Sequence, residues 1–121
     1  MSENPFIKRR QRTANLTVSH KRSPKQEKSL ALRLGGTRTP ASGSLDVKGD
    51  VRVQGKVRIE AKTTKNKSFS VTLEMVRKIE EAALSSGEMP VIVVEFIDAE
   101  GRQIAELAVC PTYVLEELSG G

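Results

Sequence analysis

The alternation of apolar and polar residues is most regular between residues 50 and 62. Apolar side chains occupy the odd positions of this segment, apart from Gly55, and polar side chains occupy every even position. A period of two predicts half-buried β-strands, here two strands joined by a turn centred on Gly55. Only a turn with an odd number of residues keeps the apolar side chains of both strands on one face. The pattern therefore predicts a hairpin in which Val53 lies opposite Val57.

Other segments have the signals of helices and buried strands. Ser23 and Pro24 have the residue types of a helix N-cap and first position, and two glycines follow Leu34. A second helix is predicted to begin at Thr72 and to turn Leu73, Val76, Ile79 and Ala83 inward. The remaining predicted elements are a strand buried on both faces at 91–97, a turn at 98–101, a strand at 103–109 and a helix at 112–118.

This order of elements predicts an α/β fold with a central mixed β-sheet flanked by helices. The chain of 121 residues has the size of one domain. Residues 1–22 are rich in basic side chains and have no sustained apolar period, so they are expected to form a flexible basic arm. The folded domain is expected to cover residues 23–121.

Charge is distributed unevenly along the chain, whose net charge is +5. Residues 1–25 carry seven basic and one acidic side chain, residues 26–68 carry ten and four, and residues 69–121 carry three and ten. A basic first half points to a polyanionic partner, of which nucleic acid is the commonest.

Composition excludes several kinds of site. The one cysteine and one histidine exclude an internal disulfide, a zinc site with several cysteines and a histidine-based metal cluster. A catalytic metal would need oxygen ligands, which suit Mg²⁺ or Mn²⁺. No apolar run reaches the length of a membrane span, and the N-terminal residues lack the apolar core of a signal peptide. We therefore expect a cytoplasmic protein, in the host cytoplasm if it is viral.

The hairpin register places Asp50 directly opposite Glu60. Two carboxylates at that distance repel each other unless a positive group lies between them. A divalent cation would relieve the repulsion, with the Ala61 carbonyl as a third ligand, and Lys62 lies on the same face as Glu60. The alternative is a solvent-facing hairpin in which arginines form salt bridges with both carboxylates.

Several motifs in this order resemble the PD-(D/E)XK nuclease superfamily, and most closely the small Holliday-junction-resolvase-like enzymes of archaea and phages. The motifs are the helical Glu27, the segment Gly-Thr-Arg-Thr-Pro-Ala-Ser-Gly-Ser at 36–44, Gly-Asp-Val at 49–51 and Ile-Glu-Ala-Lys at 59–62. The likeness covers about residues 23–97. It departs from the family pattern at Gly49, where the family name has proline, and Asp46 is a second candidate for the acidic position.

The resemblance implies a restriction-endonuclease-like core and phosphodiester hydrolysis that depends on Mg²⁺ or Mn²⁺. It implies metal ligation by Asp50 and Glu60, with Lys62 completing the catalytic site and Glu27 supporting the metal or its water. DNA contacts are then expected from the basic and hydroxyl residues around the site. These are Arg38, Ser42, Ser44, Lys48, Arg52, Arg58, Lys65 and Lys67.

The leading hypothesis is therefore a metal-dependent DNA endonuclease that acts on branched or otherwise structured DNA. Two symmetric cuts with one site per chain favour a homodimer. One alternative is a non-catalytic nucleic-acid-binding module that grips phosphates with its basic arm and hairpin. Another is a phage or host accessory protein whose sheet is only an interaction surface.

Overall fold

The computed structural model describes residues 18–39 and 50–120, with side chains in the first helix from Pro24 onward. Three helices and five strands are present in this part of the chain. In chain order they are α1 (Val18–Leu34), β1 (Thr37–Arg38), β2 (Val51–Val53), β3 (Val57–Thr64), α2 (Leu73–Leu84), β4 (Met89–Ile97), β5 (Gln103–Val109) and α3 (Thr112–Leu118).

The five strands form one mixed sheet in the order β1-β2-β3-β4-β5. Strands β3 and β4 are parallel and are connected through α2, and the other neighbours are antiparallel. The α/β class with a central mixed sheet is confirmed. Strand β4 lies inside the sheet, which explains why its sequence is an almost uninterrupted apolar run.

The β2–β3 hairpin has the register that the alternation predicted. Val53 pairs with Val57, and the Lys56 N–H donates to the Val53 carbonyl at 2.8 Å. Gly55 has a φ of 77°, a left-handed conformation that glycine adopts without steric cost. The odd turn therefore keeps the apolar residues of both strands on one face.

Two apolar clusters cover the two faces of the sheet. Helix α1 packs on the first face, where Leu30 and Ala31 meet four buried residues of β2, β3 and β4: Val51, Ile59, Ala61 and Val93. Helix α2 packs on the second face through Ile79, which contacts Ile92 and Val94. Successive residues of β3 therefore face opposite helices.

Two details of the helices differ from the predictions. Helix α1 begins at Val18, not at Ser23, and Pro24 lies inside it. A proline in the interior of a helix lacks the N–H that would bond to the His20 carbonyl and crowds that carbonyl, yet the helix extends on both sides of Pro24. Leu73 was wrongly predicted to face inward and is 66% exposed. Helix α2 packs along a stripe through Met75, and Leu73 lies about 200° around the helix from that residue.

No helix in the described part of the chain combines the length and the apolar character needed to cross a membrane.

Candidate active site

The candidate site lies where β2 begins beside the longer strand β3. The Asp50 N–H donates to the Ile59 carbonyl, and the Asp50 Oδ2 atom accepts the Ala61 N–H at 2.8 Å. The carboxylate thus occupies the place where a further residue of β2 would have bonded to the β3 backbone. The observed pairing of β2 with β3 ends at Val51 opposite Ile59, and Asp50 lies just before it, close enough to Glu60 for the charge of that residue to raise its pKa.

Three of the predicted site residues, Glu60, Glu27 and Lys62, lie close enough to Asp50 for their charges to change its pKa. Burial, the charge of Glu60 and, to a smaller extent, the charge of Glu27 raise the pKa of Asp50 from 3.8 to about 6. The Ala61 N–H and the Lys62 ammonium act in the opposite direction without cancelling the effect. Three carboxylates and one lysine from α1, β3 and the start of β2 therefore share one electrostatic neighbourhood.

Lys62 is the basic member of this group. Its Nζ atom lies 3.3 Å from Glu60 Oε2, and both side chains are partly exposed, at 38% and 29%. They stand two residues apart on β3, so they project from the same face of the strand. An ammonium with this exposure remains accessible to a ligand that approaches from solvent.

Glu27 reaches the site from the helix that covers the sheet. The burial of Leu30 and Ala31 against the sheet orients α1, and Glu27 lies one turn earlier in that helix. Its Oε1 atom accepts hydrogen bonds from Arg38 Nη2 at 3.1 Å and Nε at 3.3 Å. Arg38, which was predicted to contact DNA, is 44% exposed and also holds Glu27 in place.

Arg52 and Arg58, two further predicted DNA contacts, lie opposite each other on the hairpin and share one buried partner. The Glu88 carboxylate accepts from Arg52 Nη2 at 2.7 Å, from Arg58 Nε at 2.9 Å and from the Gly55 N–H at 2.9 Å. Burial alone raises the pKa of Glu88, but these hydrogen bonds outweigh it and hold the pKa below 4.5. Both arginines of the hairpin are thus hydrogen-bonded to Glu88.

The other predicted DNA contacts lie beyond the end of β3 or outside the described residues. Lys65 and Lys67 are exposed in the segment between β3 and α2. Ser42, Ser44, Lys48 and the alternative acidic residue Asp46 lie outside the described residues.

Sequence reasoning missed Glu88 and a second buried acidic residue, Glu95. Two arginines facing each other signal that a counter-charge is needed, but not which residue supplies it. Glu95 is the only charged residue in the apolar run at 91–97, and a charge in a strand buried on both faces is a signal in itself.

The donor set fits a hard divalent cation. Among the described residues, no group of three or more histidine, cysteine, aspartate or glutamate side chains is arranged to hold a metal ion. Mg²⁺, however, is commonly bound through one or two carboxylates and keeps several water ligands. Asp50 and Glu60 supply two carboxylates, and the pKa of Asp50 is raised first by its burial and then by the charge of Glu60.

Comparison of the chain with protein-family models, with curated proteins and with solved structures gives no match.

Proposed function

We propose that the protein is a DNA endonuclease of the PD-(D/E)XK type, with a restriction-endonuclease-like core and a dependence on Mg²⁺ or Mn²⁺. The observation that carries the proposal is the environment of Asp50. Its carboxylate is held by the Ala61 N–H beside Glu60 and Glu27, with its pKa raised to about 6 and with Lys62 next to it. A cation-binding carboxylate pair beside a lysine suits the hydrolysis of a phosphodiester.

Each residue of the site has a separate task in that reaction. Asp50 and Glu60 would hold the cation, with the Ala61 carbonyl available as a backbone ligand. When bound, Mg²⁺ supplies Lewis acidity and lowers the pKa of a coordinated water. Lys62 would balance the charge that gathers on the phosphate as the water oxygen bonds to phosphorus and the bond to the leaving oxygen breaks. Glu27 would orient the water from the helix side of the site.

The surface around the site suits a nucleic-acid backbone. Lys65 and Lys67 follow the same strand that carries Glu60 and Lys62, and both are exposed. Arg58 is buried against Glu88, so we assign it to the stability of the hairpin and place the phosphate contacts on the lysines. Contacts of this kind position a duplex without reading its sequence.

We propose branched DNA as the substrate and a homodimer as the working form. The resemblance to Holliday-junction-resolvase-like enzymes supports the substrate, and the need for two symmetric cuts supports the dimer. Light scattering at assay concentration is expected to give twice the chain mass of 13.3 kDa.

The test is a cleavage assay on four-way junction, nicked, single-stranded and linear DNA, with Mg²⁺, Mn²⁺ or EDTA. We expect cleavage of the junction with either metal, and a loss of at least 100-fold in Glu60→Gln and Lys62→Met. Glu74→Gln and Lys78→Met, which alter exposed residues of α2, are matched controls and should keep the rate within about twofold.

Two outcomes would contradict the proposal. Cleavage that persists in Glu60→Gln or Lys62→Met would exclude this site as the catalytic centre. Binding of DNA without cleavage of any substrate under either metal would favour the non-catalytic binding module.

A further inference from the structure

A buried group of polar side chains ties the helix that carries Glu27 to the strand that carries Lys62. Gln26 on α1 is 1% exposed, and its Oε1 atom accepts the Thr63 hydroxyl at 2.8 Å. Gln26 immediately precedes Glu27, and Thr63 immediately follows Lys62. One hydrogen bond therefore joins the direct neighbours of two site residues that belong to different elements.

Strand β4 supplies the remaining contacts of this group. The Gln26 Nε2 atom lies 3.5 Å from the Val93 carbonyl, and the Thr63 hydroxyl also lies 3.2 Å from Glu95 Oε1. Glu95 is fully buried and pairs directly with Thr63 across the parallel strands. The Gln26 amide is thus held at its oxygen by the Thr63 hydroxyl, and its nitrogen faces the backbone of β4 at the longer distance.

We infer that Gln26 and Thr63, backed by Glu95, are positioning residues that set the place of Glu27 relative to Glu60 and Lys62. This inference rests on the proposed nuclease function. Apolar packing alone holds α1 on the sheet through Leu30 and Ala31, but apolar contacts allow small rotations and shifts of a helix. A directional hydrogen bond next to Glu27 removes that freedom, and an active site requires its groups to be placed within about 0.5 Å.

The cost of burying these groups supports a positioning role. Buried polar side chains lose hydration that their hydrogen bonds only partly restore, and an apolar contact of the same size would stabilise the helix at least as well. Within the described residues, every buried side-chain nitrogen and oxygen has a hydrogen-bond partner, so the group is fully satisfied where it stands. A satisfied polar group gives α1 a defined orientation on the sheet.

The test is a double-mutant cycle between Thr63→Val and Glu27→Gln, read as kcat on the cleaved substrate. Thr63→Val keeps the side-chain shape and removes the hydroxyl, and we expect it to lower kcat at least tenfold while the KM for DNA changes less than threefold. If Thr63 acts through Glu27, then Thr63→Val will lower kcat no further than about twofold once Glu27→Gln is present.

Two further variants separate positioning from stability. Thr63→Ser restores the hydroxyl and should restore kcat to within threefold of wild type. Thr112→Val is the matched control, because Thr112 is exposed at the start of α3, an element that carries no residue of the site. It should leave kcat unchanged, and all assays are run at least 15 °C below the Tm of each variant. Equal losses in Thr63→Val and Thr63→Ser would overturn the inference, as would losses from Thr63→Val and Glu27→Gln that multiply.

The cycle also distinguishes failure of this inference from failure of the proposed function. If the wild-type chain cleaves no substrate, the nuclease proposal fails, and Mn²⁺ affinity measured by electron paramagnetic resonance replaces kcat as the readout. Non-multiplying losses of Mn²⁺ affinity in Thr63→Val and Glu27→Gln would then support positioning. No effect of Thr63→Val on Mn²⁺ binding, or no binding of Mn²⁺ by the wild type, would overturn it.

Discussion

Replacing Asp50 by asparagine should make the metal-free protein more stable while it abolishes the site. The asparagine Oδ1 atom can still accept the Ala61 N–H, which Asp50 accepts at 2.8 Å, and the side chain keeps its size. The substitution removes the charge that is partly buried and repelled by Glu60 and Glu27. The variant therefore resembles Asp50 in its protonated form, which is more favourable in the folded protein than in the unfolded chain.

The size of the effect follows from the pKa of Asp50. A rise from 3.8 to about 6 corresponds to at most about 3 kcal/mol, because each tenfold change in proton affinity is worth about 1.4 kcal/mol. Asp50 is only partly buried and solvent screens its charge, so we expect the free energy of unfolding to rise by about 1–2 kcal/mol at pH 7.5. For a domain of this size that is an increase in Tm of about 5–10 °C.

Thermal unfolding in EDTA and in 10 mM Mg²⁺ measures both parts of this prediction. We expect Asp50→Asn to have the higher Tm in EDTA, and Mg²⁺ to raise the Tm of the wild type only. Asp98→Asn is the matched control. The pKa of Asp98 is lowered, mainly by the hydrogen bond from the Arg102 N–H, so removing the charge of Asp98 should not stabilise the protein. An unchanged or lower Tm of Asp50→Asn in EDTA would refute the repulsion, and equal gains with Mg²⁺ would place the cation elsewhere.

Three further predictions follow from the same contacts. In metal-free buffer, the folded state binds more protons at Asp50 than the unfolded state between pH 4 and 6, so this residue's contribution to stability should fall as pH rises through that range. The free energy of unfolding of the wild type minus that of Asp50→Asn, measured at several pH values, isolates the contribution of Asp50. A difference that does not change with pH would contradict the raised pKa. Glu88→Gln should lower the free energy of unfolding by about 3 kcal/mol in urea, because it removes the buried charge that both Arg52 and Arg58 contact. A loss below about 1 kcal/mol would show that other groups or solvent compensate both arginines. Gly36→Ala should cost about 1–3 kcal/mol, since the added methyl group would collide with the Arg52 carbonyl, and an unchanged urea midpoint would show that β1 can shift.

Much of the fold was predictable from residue patterns alone. The alternation around Gly55 predicted the β2–β3 register, and the apolar period that follows Thr72 predicted the start of α2. The structure shows that Thr72 caps this helix, because its hydroxyl accepts the Met75 N–H at 3.2 Å. The strand at 103–109 and the helix at 112–118 have the predicted bounds. These features depend on interactions between residues close in the chain, which is why local sequence determines them.

Side-chain partners across elements were not predictable in this way. Glu88 lies about thirty residues from the arginines that it pairs, and neither its position nor its neighbours in the chain indicate them. The contact between Gln26 and Thr63 likewise depends on how α1 lies on the sheet. The start of α1 was misplaced because Ser23 and Pro24 have the local signature of a helix start, which the longer helix overrides.

The sequence by itself determined the register of the β2–β3 hairpin, in which Val51 lies opposite Ile59, because strand periodicity and an odd turn admit one register. That register brings Asp50 and Glu60 into one neighbourhood. Only the tertiary structure decided which neighbouring charges stabilise the ionised Asp50 carboxylate and which repel it. The packing of α1 and α2 on opposite faces sends Arg52 and Arg58 to Glu88 and brings Glu27 toward Asp50. Coulomb energies depend on distances through space and on burial, and neither quantity is encoded by spacing along the chain.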